Sequence, residues 1–81
     1  MNSSTIPHAP ARSSSLAVIG YSGDDNVLIV EFHSGALYCY LFVPTHEHEQ
    51  LMRAQWLGRY FNLAIGSKYP HHRLEPSRWP T

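Results

Sequence analysis

The chain has 81 residues, enough for one small domain that buries only about 60% of its unfolded surface. Hydrophobic residues make up 43% of it and aromatic residues 12%, which excludes a disordered chain, and no apolar stretch is long enough to span a bilayer. Charged residues are only 15%, against roughly 25% in typical soluble domains. Net charge is zero but uneven. Residues 1–50 set Arg12 against Asp24, Asp25, Glu31, Glu47 and Glu49. Residues 51–81 set Arg53, Arg59, Lys68, Arg73 and Arg78 against Glu75. A single cysteine, Cys39, excludes an internal disulfide and argues for a reducing, cytoplasmic location. The polar opening residues do not read as a secretory signal.

Residues 1–12 lack periodicity and read as a flexible N-terminal arm. Leu16 to Tyr21 is a short β-favouring run, and Ser22-Gly23-Asp24-Asp25-Asn26 is a dense turn signal. Val27 to Phe32 is the strongest strand candidate. His33-Ser34-Gly35 turns the chain into a third run, Ala36 to Val43. Three strands with short connections make an antiparallel β-meander. Pro44 ends the third strand, and Thr45 suits a helix N-cap, with Glu47 and Glu49 near the positive end of the helix dipole. A helix is expected over His46 to Gln55. Gly58 interrupts, and Arg59 to Ile65 reads as a second short helix, with Phe61 and Ile65 on one face. Residues 70–81 form a Pro-rich tail, expected to be irregular. The fold class is α+β: a three-stranded meander followed by one or two short helices packed on one face.

The register of the second hairpin decides which sheet face is core. A two-residue Ser34-Gly35 turn would put Phe32 opposite Leu37 and both tyrosines on the face away from Leu28, Val30 and Phe32. The three-residue His33-Ser34-Gly35 loop with Gly35 left-handed, the preferred register, puts Val30 opposite Tyr38 and Leu28 opposite Tyr40. Tyr38 and Tyr40 are then core residues with polar tips, or alternatively a base-stacking platform. The opposite face carries Val27, Ile29, Leu37, Cys39 and Leu41 beside Glu31. An apolar outer face on so small a domain implies either a protein interface or a cover supplied by the arm or by the Leu74–Trp79 part of the tail.

The order of these elements resembles the KTSC domain, a module named for the C-terminus of some lysyl-tRNA synthetases and also found as a stand-alone bacterial protein. The resemblance covers residues 13–69. It rests on Ser13-Ser14, Leu16, Ile19-Gly20-Tyr21, Leu28, Val30 and Phe32 at alternate positions, and Gly35. It continues with Tyr38-Cys39-Tyr40, Val43-Pro44, Leu51, Ala54, Gly58, Tyr60-Phe61-Asn62, Ile65 and Tyr69. Three positions depart from the family pattern: Ser22 stands for an aspartate, Trp56 for a serine and Gly66 for a basic residue. The synthetase context suggests RNA binding.

Catalytic chemistry finds little support. Cys39 lies mid-strand with no placed base, and Ser13 to Ser15 suit turn hydrogen bonds. His33, His48, Tyr38 and Arg59 hold the groups of a metal-independent ribonuclease, but nothing in their spacing selects them. His46, His48, His71 and His72 lack ligand spacing for a metal. No enzymatic activity, cofactor, metal or membrane partner is expected. The expected role is a small interaction module that binds a protein or self-associates through the apolar sheet face. The alternative is an RNA-binding accessory domain using Tyr38, Tyr40, Arg53, Arg59, Tyr60, Lys68, Tyr69 and Arg73.

Overall fold

A computed structural model describes residues 8–11 and 13–75. Arg12, Arg78 and Trp79 lie outside the described residues. The chain forms one antiparallel sheet in the order β1-β2-β3-β4-β5, a continuous meander. The strands are β1 (His8–Pro10), β2 (Leu16–Ser22), β3 (Val27–Phe32), β4 (Leu37–Tyr40) and β5 (His71–Leu74). Between β4 and β5 come α1 (Thr45–Arg53) and α2 (Leu57–Tyr60). The latter runs directly into a π-helical segment, Phe61–Gly66.

The three expected strands are the centre of this sheet, and one short strand extends it on each edge. His8–Pro10, read from the sequence as part of an irregular arm, pairs with β2, Ala9 opposite Ile19. Pro10 is tolerated because an edge strand has an unpaired side. His71–Leu74, read as part of an irregular tail, pairs with β4 instead. That strand shows no apolar alternation because three of its four residues are exposed, and backbone pairing holds it there with Leu74 packed on the outer face and the His71 ring stacked on Tyr40.

The β3–β4 register is the one set by the three-residue loop. Leu28 faces Tyr40 and Val30 faces Tyr38. The Phe32 amide donates to the Ala36 carbonyl at 2.9 Å, and Gly35 takes φ 97°, a conformation that glycine adopts without steric cost. Leu28, Val30 and Tyr40 therefore lie under the helices with Leu16, Ile19, Val43, Leu51, Leu57, Phe61 and Ile65. Phe61 is the hub. Its ring meets Tyr40 edge-on at 5.2 Å and Phe32 at 5.9 Å between centroids.

Helix boundaries differ from expectation. Pro44 is the N-cap of α1, and its side chain makes no cap hydrogen bond. Thr45 is the first helical residue rather than the cap, its hydroxyl 3.4 Å from the Tyr21 hydroxyl. Pro suits this helix start because it has no amide hydrogen to satisfy. The second helix begins at Leu57, one residue before Gly58 rather than one after it. Ile65, expected near its end, is buried with Phe61 on the same side, and the π turn carries the chain on to Gly66.

The outer sheet face is closed rather than open. Ile29, Leu37 and Cys39 are at most 7% exposed, and Val27, Leu41 and Leu74 pack against them. Of the two expectations for Val27, Ile29, Leu37, Cys39 and Leu41, an open interface or a face covered by the arm or the tail, the structure shows the covered one: Ile29, Leu37 and Cys39 form a second small core with Val27 and Leu41 partly buried at its margin. β5 brings Leu74 from the tail beside Leu37, which accounts for part of that closure.

Candidate functional site

The Ser13-Ser14-Ser15 turn sits against the start of α2. Ser13 Oγ accepts the Ser15 and Leu16 amides, each at 3.1 Å, which fixes the turn ahead of β2. The Ser15 carbonyl accepts the His33 amide at 2.9 Å, and the His33 ring meets the Ser13 carbonyl through Nε2 at 2.9 Å. The β3–β4 loop thus braces the turn from the other side. Glycine at residue 58 lets α2 approach this turn closely. A Cβ there would stand 2.9 Å from Ser15 Oγ and 3.0 Å from Ser13 Oγ.

A groove of about 920 Å³ opens at this junction, lined by the three serines and, on the helical side, by Trp56, Arg59, Asn62 and Leu63 together with Gln55. Trp56 and Leu63 are each 67% exposed, which is unusual for residues so large and apolar. Arg59 and Leu63 are four apart on the helical segment, and Trp56, the N-cap residue just before α2, lines the groove beside them. Leu57, Phe61 and Ile65 form the opposite, buried stripe. The helical segment is therefore apolar on two sides, and only one of them faces the core.

A second constellation ties the helices together. Tyr60 donates to Glu47 Oε2 at 2.5 Å, and Tyr69 donates to Glu47 Oε1 at 3.2 Å. The hydrogen bond to Glu47 raises the Tyr60 pKa to about 12, with burial and the carboxylate charge adding to it. The Tyr69 pKa is raised chiefly by desolvation and next by the same carboxylate. A third set closes the β2–β3 end. Tyr21 donates to the Val43 carbonyl at 2.6 Å and accepts from Asn26 Nδ2 at 3.1 Å, while His48 stacks on the Tyr21 ring at 4.4 Å. Burial lowers the His48 pKa, partly opposed by Glu49.

The residues considered for RNA are dispersed among these sets. Tyr40 is core. Tyr38 is half-buried, and Arg73 is its partner on β5. His71 stacks on Tyr40 at 4.8 Å. Tyr60 and Tyr69 turn their hydroxyls to the Glu47 carboxylate, which places an acid where a phosphate would approach. Arg59 lies in the groove, whereas Arg53 ends α1 and Lys68 follows the π turn, both exposed. Of the four ribonuclease groups, His33 is engaged with Ser13 and His48 with Tyr21. No hydrogen bond or ring contact joins any two of the four among the described residues. Cys39 is buried and unpaired, and its thiol pKa is raised by desolvation, away from a reactive thiolate. Among the described residues no three His, Cys, Asp or Glu side chains gather into a metal site. No helix among them is long and apolar enough to cross a membrane.

The groove was not anticipated from the sequence, although the Arg59–Leu63 spacing was available there. The Ser13–Gly58 approach that walls it is a long-range contact with no local signal.

An antiparallel meander closed on one face by short helices defines a small α+β domain. The KTSC domain profile matches residues 12–69, and the chain belongs to the KTSC domain family. It is 45% identical over 62 residues to an uncharacterized protein of Stutzerimonas stutzeri, covering 76% of this chain and 84% of that one. A protein of Tsukamurella paurometabola is 34% identical over 60 residues, covering 74% and 90%. The crystal structure of a KTSC domain protein from Yersinia pestis superposes with a TM-score of 0.84 at 31% identity, covering 88% of this chain and all of that one.

Proposed function

We propose that the domain is a non-enzymatic interaction module that binds a protein partner through the groove between the Ser13–Ser15 turn and α2. One observation carries the reading: Trp56 and Leu63, two large apolar side chains, stand two-thirds exposed on the helical wall of one groove. Aromatic anchors in a concave, partly polar setting are what protein-recognition sites are built from. The sheet face first considered for this role is closed off by the chain itself, so the groove replaces it. The buried, unpaired Cys39 suits a cytoplasmic setting. A second reading, RNA binding, draws support from Tyr38 beside Arg73 at the β4–β5 edge.

The test is a pull-down from the native cells with the whole chain, with and without ribonuclease, using wild type and the Trp56→Ala/Leu63→Ala double variant. The proposal predicts a specific protein that survives ribonuclease and is lost with the double variant. Capture that ribonuclease abolishes, or that the double variant retains, refutes it.

A further inference from the structure

The groove's chemistry narrows what kind of partner fits. Among the described residues its lining carries a single charge, that of Arg59, and no acidic side chain. Arg59 is exposed and forms no ion pair or hydrogen bond with a described residue, so its five N–H donors are open to a ligand. Trp56, at the N-cap of α2, and Leu63 line the groove with it. Gln55 and Asn62 add side-chain amides, each both donor and acceptor. A peptide backbone presents donors and acceptors alike and uses both functions of such amides. A phosphodiester backbone presents acceptors only and needs several cations in a row, where this groove supplies one. Its volume, about 920 Å³, is at the upper end of the roughly 300–1,000 Å³ typical of ligand sites.

Resting on the groove as the binding surface, we infer that it recognises a short internal segment of a protein partner in which an Asp or Glu lies next to apolar residues. The side-chain carboxylate takes the Arg59 guanidinium in a forked, charge-assisted pair. The apolar neighbours lie on Trp56 and Leu63, and Gln55 and Asn62 hold the segment's backbone.

The test is selection of a phage-displayed random dodecapeptide library on the immobilised full-length chain. Winning sequences are then synthesised with amidated C-termini and titrated by fluorescence anisotropy. A labelled oligouridylate forms a parallel arm. The inference expects enrichment of Asp or Glu within a residue or two of Leu, Ile, Phe or Trp. Arg59→Glu should weaken these peptides by about tenfold or more, and replacing their acid by Lys should restore affinity for that variant. Arg53→Ala, outside the groove, should leave binding unchanged. Circular dichroism confirms that each variant is folded. Enriched peptides without an acidic bias, or unchanged affinity in Arg59→Glu, overturn the inference while loss of binding in Trp56→Ala still upholds the groove. Peptides indifferent to Trp56→Ala, or no enrichment at all, overturn both. Tighter binding of the oligouridylate than of any peptide, weakened by Arg59→Glu, overturns the peptide in favour of RNA.

Discussion

Replacing Gly58 by alanine puts a methyl group 2.9 Å from Ser15 Oγ and 3.0 Å from Ser13 Oγ. Helix propensity alone makes this change favourable by about 0.8–1.0 kcal/mol, less in a first turn such as this one. Packing opposes it. Ser13 Oγ cannot retreat without lengthening two amide hydrogen bonds of 3.1 Å, and overpacking of a fitted contact costs about 1–3 kcal/mol. The difference is a net loss of about 0.5–2 kcal/mol. Urea denaturation should show a lower midpoint with an unchanged slope. Ser15→Ala alone should be near neutral, because Ser15 is exposed and its hydroxyl has only a 3.4 Å contact with Ser13 Oγ. In that background Gly58→Ala should cost about 1 kcal/mol less, the coupling expected of residues in contact. A raised midpoint for Gly58→Ala, or an equal cost in both backgrounds, would refute the claim that this glycine exists to bring α2 onto the serine turn.

Three further outcomes are expected. Because folding raises the Tyr60 pKa from 10.0 to about 12, the clasp on Glu47 contributes stability that is complete below pH 10 and lost as pH rises towards 12. Glu47→Gln should flatten that loss in alkaline denaturation and shift tyrosinate absorbance to lower pH, and identical profiles would contradict it. Phe42 holds φ 62° with its side chain 71% exposed, pinned between the Leu41 amide on the Pro70 carbonyl and the Val43 amide on the Asn26 carbonyl. Left-handed backbone costs a residue of this shape about 1–2 kcal/mol and asparagine less, so Phe42→Asn should stabilise by about 1 kcal/mol and raise Tm by about 4–8 °C. A lower Tm would show that the ring contributes more to the fold than its exposure indicates. Tyr21→Phe should cost about 1–2 kcal/mol in urea denaturation, since it strips the Val43 carbonyl of its 2.6 Å donor and Asn26 of an acceptor. A neutral result would mean that water replaces the hydroxyl.

Much of this fold is legible in the sequence because its signals are local. Gly35 after His33-Ser34 favours a three-residue loop over the two-residue Ser34-Gly35 turn, and the loop length fixes which residues of β3 and β4 face the helices. Phe61 and Ile65, four apart, mark the buried side of the second helix. The edge strands are not legible. His71-His72-Arg73-Leu74 has little apolar surface to bury, so its pairing leaves almost no pattern in side-chain type. Cover of the outer face by the Leu74 part of the tail is one of two readings, but its arrival on a paired strand, β5, is not legible. The groove was half legible. Arg59 and Leu63, four apart, share a helix face, but a face becomes a site only when something walls it, and the wall comes from serines far away in sequence.

The account's central claim is that this groove is where a protein partner binds. Photo-crosslinking in the native cells tests it most directly, with a benzophenone amino acid placed at Leu63 or, as a control, at Met52, which is 45% exposed but does not line the groove. The account predicts a discrete protein adduct from position 63 that withstands nuclease, disappears when Arg59 is also changed to Glu, and is absent from position 52. Equal adducts from both positions, or adducts from position 63 that nuclease removes, would contradict it.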